Sequence, residues 1–159
     1  SRIENEVDKI KVHLKENETI TLNEIEKYIG ISKEYNVFEL INAISFKEKA
    51  KSFTITKKLS ENEKDHSIFQ SLGLIYTLFS NLLILHGLKD RSNTNIIKEL
   101  KINPYFVNNY KIAASNYTLK KTASIISYLR ETDANKKGID SGLVSDYNAY
   151  KELLFKIFN

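Results

Sequence analysis

His66–Leu88, HSIFQSLGLIYTLFSNLLILHGL, runs 23 residues without a formal charge. A helix of that length could cross a bilayer. The polar positions argue against it. Gln70, Gly73, Thr77, Asn81 and Ile84 recur at spacings of three and four, so a narrow, mostly small or polar stripe follows one side of the helix. Phe69, Leu72, Ile75, Tyr76, Phe79, Leu82, Leu83 and Leu85 occupy the rest. A helix apolar over most of its circumference is expected at the centre of an all-α domain, covered by neighbours on several sides. The flanking sequence is soluble in character, which favours a buried helix over a membrane span.

The remaining composition fits that reading. The chain is 42% hydrophobic and 28% charged, enough for both a core and a wettable surface. Five glycines and one proline are too few for an all-β protein with many turns. The absence of cysteine excludes a disulfide framework and thiolate metal sites, and suits a cytoplasmic protein. No secretory signal opens the chain. It begins with Ser and contains no methionine, as expected of a fragment. Charge is uneven. Residues 1–65 hold 12 basic and 13 acidic side chains, whereas Lys89–Lys137 holds 10 against 4. That local excess suits a phosphate backbone, an acidic protein surface or simply a solvated face.

Helices follow one another along the chain. Ile3, Val7, Ile10 and Leu14 share one face, and Thr21 with Glu24 forms a capping box before Leu22–Ile29. Asn36 is expected to cap the helix whose apolar positions are Val37, Phe38, Leu40, Ile41 and Ile44, and Ser45 with Glu48 to cap the next. Beyond the long apolar helix, Thr94 or Asn95 is expected to cap Ile96–Lys101. Pro104 opens another helix, where its missing N–H costs nothing. Thr118 caps a long helix with Leu119, Ala123, Ile126 and Leu129 on one face. Asp133–Val144 reads as a connection and Asp146–Phe158 as the last helix. The fold class is all-α.

Recognisable catalytic chemistry is missing. There is no GxxxxGK[ST] or GxGxxG phosphate loop. His13, His66 and His86 have neither HExxH nor paired-ligand spacing, so no catalytic residue, metal site or cofactor is expected. Asp65, His66 and Ser67 are consecutive and cannot form a triad. The short helices near Ile25–Ser32 and Ile97–Asn103 have the outline of a helix-turn-helix, though Tyr105, Asn108 and Asn109 offer only part of a base-reading surface.

An ordered series of segments resembles the C-terminal part of the delta subunit of the bacterial DNA polymerase III clamp loader. It comprises Ile25–Leu40, Lys49-Ala50, Phe79–Leu83, Asn103–Val107, Ala113-Ala114 with Asn116-Tyr117, Leu129–Asp133, Lys137-Gly138 and Glu152–Phe158. None of these motifs is catalytic; their order over nearly the whole chain carries the resemblance. It implies that residues 1–35 end a helical second, or lid, domain. Residues 36–159 would form a collar domain bundled around the helix at 66–88. The ATPase-like, clamp-binding first domain would be absent.

The resemblance further implies a non-hydrolysing subunit of a pentameric AAA+-related loader. Its collar would contact the gamma/tau ATPase and delta-prime-type subunits, with the sliding clamp reached only through the absent domain and primed DNA met in the assembled complex. On this basis Tyr105 and Tyr110 are expected at a subunit interface, from an aromatic set that also includes Phe106 and Tyr117. Lys136 and Lys137 are expected near the DNA backbone, where lysines bind phosphate without reading sequence. Ile139 follows Gly138, so the aromatic wedge of some relatives is not carried over. The alternative reading is a stand-alone regulator that binds duplex DNA through the helix pair at Asn95–Asn116; a helical scaffold for an acidic protein is a third.

Overall fold

The computed structural model describes residues 35–61, 67–138 and 144–159. The expected lid remnant, apart from Tyr35, therefore lies outside the described residues, as do His13 and His66. Every regular element among the described residues is helical: α1 (Val37–Ser45), α2 (Lys49–Glu61), α3 (Ile68–Gly87), α4 (Asn93–Leu100), a 3₁₀ turn (Pro104–Phe106), α5 (Val107–Asn116), α6 (Leu119–Lys136) and α7 (Asp146–Phe158).

Side-chain caps set most of the helix starts. The Asn36 Oδ1 accepts from the Glu39 N–H at 3.0 Å, and the Thr118 hydroxyl accepts from the Lys121 N–H at 3.2 Å, both as expected. Three boundary expectations are corrected. Ser45 does not open α2: it is the last residue of α1, and its hydroxyl donates back to the Ile41 carbonyl at 2.8 Å. The chain then turns through Lys47, whose φ of 56° lies in the left-handed region. Likewise α4 begins earlier than Thr94, because Ser92 supplies the cap and Asp90 in turn accepts from the Ser92 N–H and hydroxyl. The segment Asp133–Lys136 is the last turn of α6 rather than connection. Gly138, with φ 75°, follows that helix in the conformation an L side chain avoids.

Helix α3 is the hub. It packs most extensively on α6 and also touches α1, α4 and α5, while α2 and α7 pair with each other and with α1 and α6 respectively. It is long and apolar enough to cross a membrane. In this fold its residues Ile75, Phe79, Leu82 and Leu85 enter the common core with Leu40, Ile44, Ile55, Leu59, Ile125, Leu153 and Ile157. Fully burying each such side chain is worth about 1.5–3 kcal/mol. Buried tyrosines tie the helices across the core. The Tyr117 hydroxyl donates to the Ile44 carbonyl at 2.7 Å, and the Tyr150 hydroxyl donates to Ser71 Oγ at 2.6 Å. Burial pushes both phenols up, that of Tyr150 to about 12. The face of α6 that enters the core is Thr122, Ile125 and Leu129. Of the expected face only Leu129 is buried, Ile126 is half-buried, and Leu119 and Ala123 are exposed, because the buried face is turned around the helix from the one that the apolar spacing marked.

Candidate subunit interface

The apolar surface of α3 is wider than its neighbours cover. Phe69, Tyr76 and Leu83 are exposed at seven-residue intervals, so they share one stripe. Gly73, Ser80 and Gly87 lie between and after them on the same side. A methyl group at Gly73 or Gly87 would meet nothing within 4 Å. No packing among the described residues requires either glycine, although Gly73, inside the helix, costs it about 1 kcal/mol relative to Ala.

On a different side of α3, where Leu74, Thr77 and Leu78 lie, α1, α3 and the Asn103–Tyr110 segment enclose a groove of about 330 Å³. Its apolar lining includes Phe38, Ile41, Leu74, Ile102, Phe106 and Tyr110, and the amides of Asn42, Asn103 and Asn109 punctuate it. Local sequence explains the rim. The Asn103 side chain accepts from the Tyr105 N–H at 2.9 Å and Pro104 fixes the first turn, which turns the next two aromatics outward. Tyr105 is 81% exposed and stacks edge-to-face on Phe106 at 5.3 Å. Phe38 on α1 is 71% exposed. Tyr110 is half-buried, and its hydroxyl accepts from Asn81 Nδ2 at 2.9 Å, which fixes its ring against α3.

The structure therefore divides the aromatic set. Tyr117 is core, Tyr110 lines the groove and Tyr105 stands at its edge. Phe38, Phe69, Tyr76 and Leu83 are expected from sequence only as apolar positions of helices covered by neighbours; the structure exposes all four. The alternation of large and small residues every seven positions was the available signal.

Lys136 and Lys137 are adjacent in sequence but differ in their surroundings. Lys136 reaches Asp146 Oδ1 at 2.5 Å and donates to the Val144 carbonyl at 2.8 Å, so it joins the end of α6 to the start of α7. Both side chains of that pair are only 13% exposed. Lys137 is exposed, pairs with Asp133 at 2.6 Å and lies 5.8 Å from the Phe69 ring centre. Of the histidines, His86 is described: its Nε2–H donates to the Tyr117 carbonyl at 2.7 Å. No group of three or more His, Asp or Glu side chains that could hold a metal occurs among the described residues.

Among the described residues that line the groove there is no carboxylate, cation or imidazole. What it offers is exposed aromatic area and neutral amide donors and acceptors, the make-up of a protein-binding surface. Residues 34–156 match the family described as DNA polymerase III delta subunit, C-terminal domain. The chain belongs to that family. Among solved structures, the Bacillus subtilis DNA clamp loader delta protein (YqeN) is similar in fold, with a TM-score of 0.63 at 22% sequence identity. The alignment covers 97% of this chain and 44% of that one, so the chain spans less than half the length of that protein. No curated protein matches. The helix pair α4–α5, where a duplex-reading surface was the alternative, falls inside the delta-family match, and the regulator reading is not favoured.

Proposed function

We propose that this delta-family chain holds its subunit in the ring of a bacterial clamp loader, with residues 36–159 serving as the collar domain. The observation that carries the reading is the aromatic groove, which has no charged side chain among the described residues that line it. A partner helix laid against it would bury Phe38, Tyr105 and Phe106, and aromatic anchors of this kind dominate binding energy at protein interfaces. The neighbours in this reading are the gamma/tau ATPase and delta-prime-type subunits, in the cytoplasm. Contact with the sliding clamp and clamp opening belong to an ATPase-like domain outside this sequence.

Size-exclusion chromatography with clamp-loader ATPase subunits from the same source tests the proposal. Co-elution is expected, and Phe38→Asp with Phe106→Asp should abolish it while leaving the helical content unchanged. Co-elution that survives both substitutions moves the interface elsewhere, and its absence in the wild type at high micromolar concentration removes the collar reading for the isolated chain. In the same assembly Lys136 and Lys137 are proposed to face primed DNA. Lys137 has the exposed ammonium for it, whereas Lys136 would have to leave Asp146. Lys137→Ala should therefore flatten the salt dependence of loading more than Lys136→Ala does.

A further inference from the structure

A second cavity, of about 250 Å³, opens on the outer stripe of α3. Phe69, Leu72, Gly73 and Tyr76 border it, and Leu129, Arg130 and Asp133 of α6 close one side. The four α3 residues stand at spacings of three, four and seven from the first. That is the hole a coiled-coil helix offers to a side-chain knob of its partner. Gly73 forms the floor, since even a methyl group there would meet nothing within 4 Å. The same stripe carries a knob of suitable size, Leu83, which is 39% exposed. No formal charge occurs from His66 to Leu88, so nothing along the stripe repels an identical helix.

We propose that a second copy of this chain packs on this face, with the two α3 helices antiparallel about a two-fold axis. Large residues at Phe69, Tyr76 and Leu83 and small ones at Gly73, Ser80 and Gly87 interleave with one seven-residue period. Reversing the helix against itself therefore sets Leu83 in the hole at Gly73 of the second copy, Tyr76 over Ser80 and Phe69 over Gly87. All three pairs centre on residue 78, which is also the middle of α3 (Ile68–Gly87), so this register overlaps the helices end to end. A two-fold contact of this kind closes on itself and stops at a dimer. Helix α6 widens the face. Leu119 and Ala123, both exposed, and the half-buried Ile126 share the side of α6 that Arg130 and Asp133 turn towards the cavity. A helix of 20 residues is about 30 Å long and about 10 Å across, so two side by side present roughly 600 Å². A standard interface takes about 800 Å² per partner, so the dimer is expected to be reversible. No residue of this face lines the aromatic groove, so the dimer stands or falls independently of the collar reading.

The test is sedimentation equilibrium of this chain from low to high micromolar concentration. The apparent mass should rise from 18.4 kDa towards twice that value. Gly73→Leu fills the hole and Leu83→Ala removes the knob, and each should weaken association by about tenfold or more in a protein that melts as a folded domain. Combining the two substitutions exchanges knob and hole. The combined variant should recover most of the loss, because large and small residues again meet across the two-fold axis. Phe38→Asp, in the aromatic groove, should leave association unchanged. A mass of 18.4 kDa at every concentration would overturn the proposal. So would a dimer that survives in folded Gly73→Leu protein, or a combined variant that associates no better than either single one. Loss of the dimer in Phe38→Asp would likewise overturn it and move the contact to the groove.

Discussion

Phe79 and Tyr76 sit one turn apart on α3 and meet opposite surroundings. Phe79 has no exposed surface and packs edge-to-face on Tyr117 at 5.1 Å, while Tyr76 is 48% exposed. The same division runs along the helix. Ile75, Leu82 and Leu85 are enclosed by α6, α1 and α4, whereas Phe69, Leu83 and Ile84 face outward. Hydrophobicity alone does not separate these two sets. The inner one is held by the chain's own helices; the outer one has the composition of a core and is only partly covered by the described residues. A helix with two apolar faces and cover for one is suited to joining its domain to something else.

The largest effect that could break this comparison is at Phe79. Phe79→Ala should cost about 3–5 kcal/mol by leaving a cavity against Tyr117, read as a large drop in melting temperature, while Tyr76→Ala should cost less than about 0.5 kcal/mol. Similar losses at both positions would mean that the outer face is covered in the isolated chain.

Alkaline unfolding sharpens the inner side. The Tyr150 phenol titrates near 10 when unfolded and is pushed up to about 12 when folded, chiefly by burial. Since the folded protein holds that proton more tightly, the stability it confers is complete below pH 10 and is lost as pH rises towards 12. The loss over that window is roughly 2–3 kcal/mol. Tyr150→Phe should remove that part of the alkaline fall in denaturant midpoint; an identical fall in the variant would show that Tyr150 ionises freely.

Gly73 tests the outer side with the opposite sign. Gly73→Ala should raise stability by about 1 kcal/mol, because helix propensity improves and the methyl meets nothing. If a partner helix approaches closely there, the same substitution weakens co-elution with clamp-loader subunits. The smallest effect is expected at Tyr105: Tyr105→Ala should change the melting free energy by less than about 0.5 kcal/mol and be detected only in assembly.

Much of the fold was legible because helix starts are local events. Asn36, Thr118, Pro104 and the last helix at Asp146–Phe158 were readable from neighbouring residues, since caps act over three or four positions. The misplaced starts at Ser45 and Thr94 have the same origin. Several Ser, Thr and Asn residues stand close together there, and any of them can cap, so propensity does not choose. The candidate site was less legible. Tyr110 and Phe106 could be named as aromatics, but Phe38 joins them only because α1 packs beside α5 across more than sixty residues of sequence.

The sequence by itself determined that this is an all-α chain built around one long apolar helix, and its ordered motifs pointed to the delta family. Periodicity, caps and the absence of turn-rich or catalytic patterns are properties of short stretches, and a sequence displays them directly. Only the tertiary structure decided which apolar face of α3 is core and which is surface, and that Lys136 is enclosed with Asp146 while Lys137, its neighbour, is exposed. Those outcomes depend on which helices arrive from elsewhere in the chain. Burial is a relation between distant segments, and no single stretch contains it.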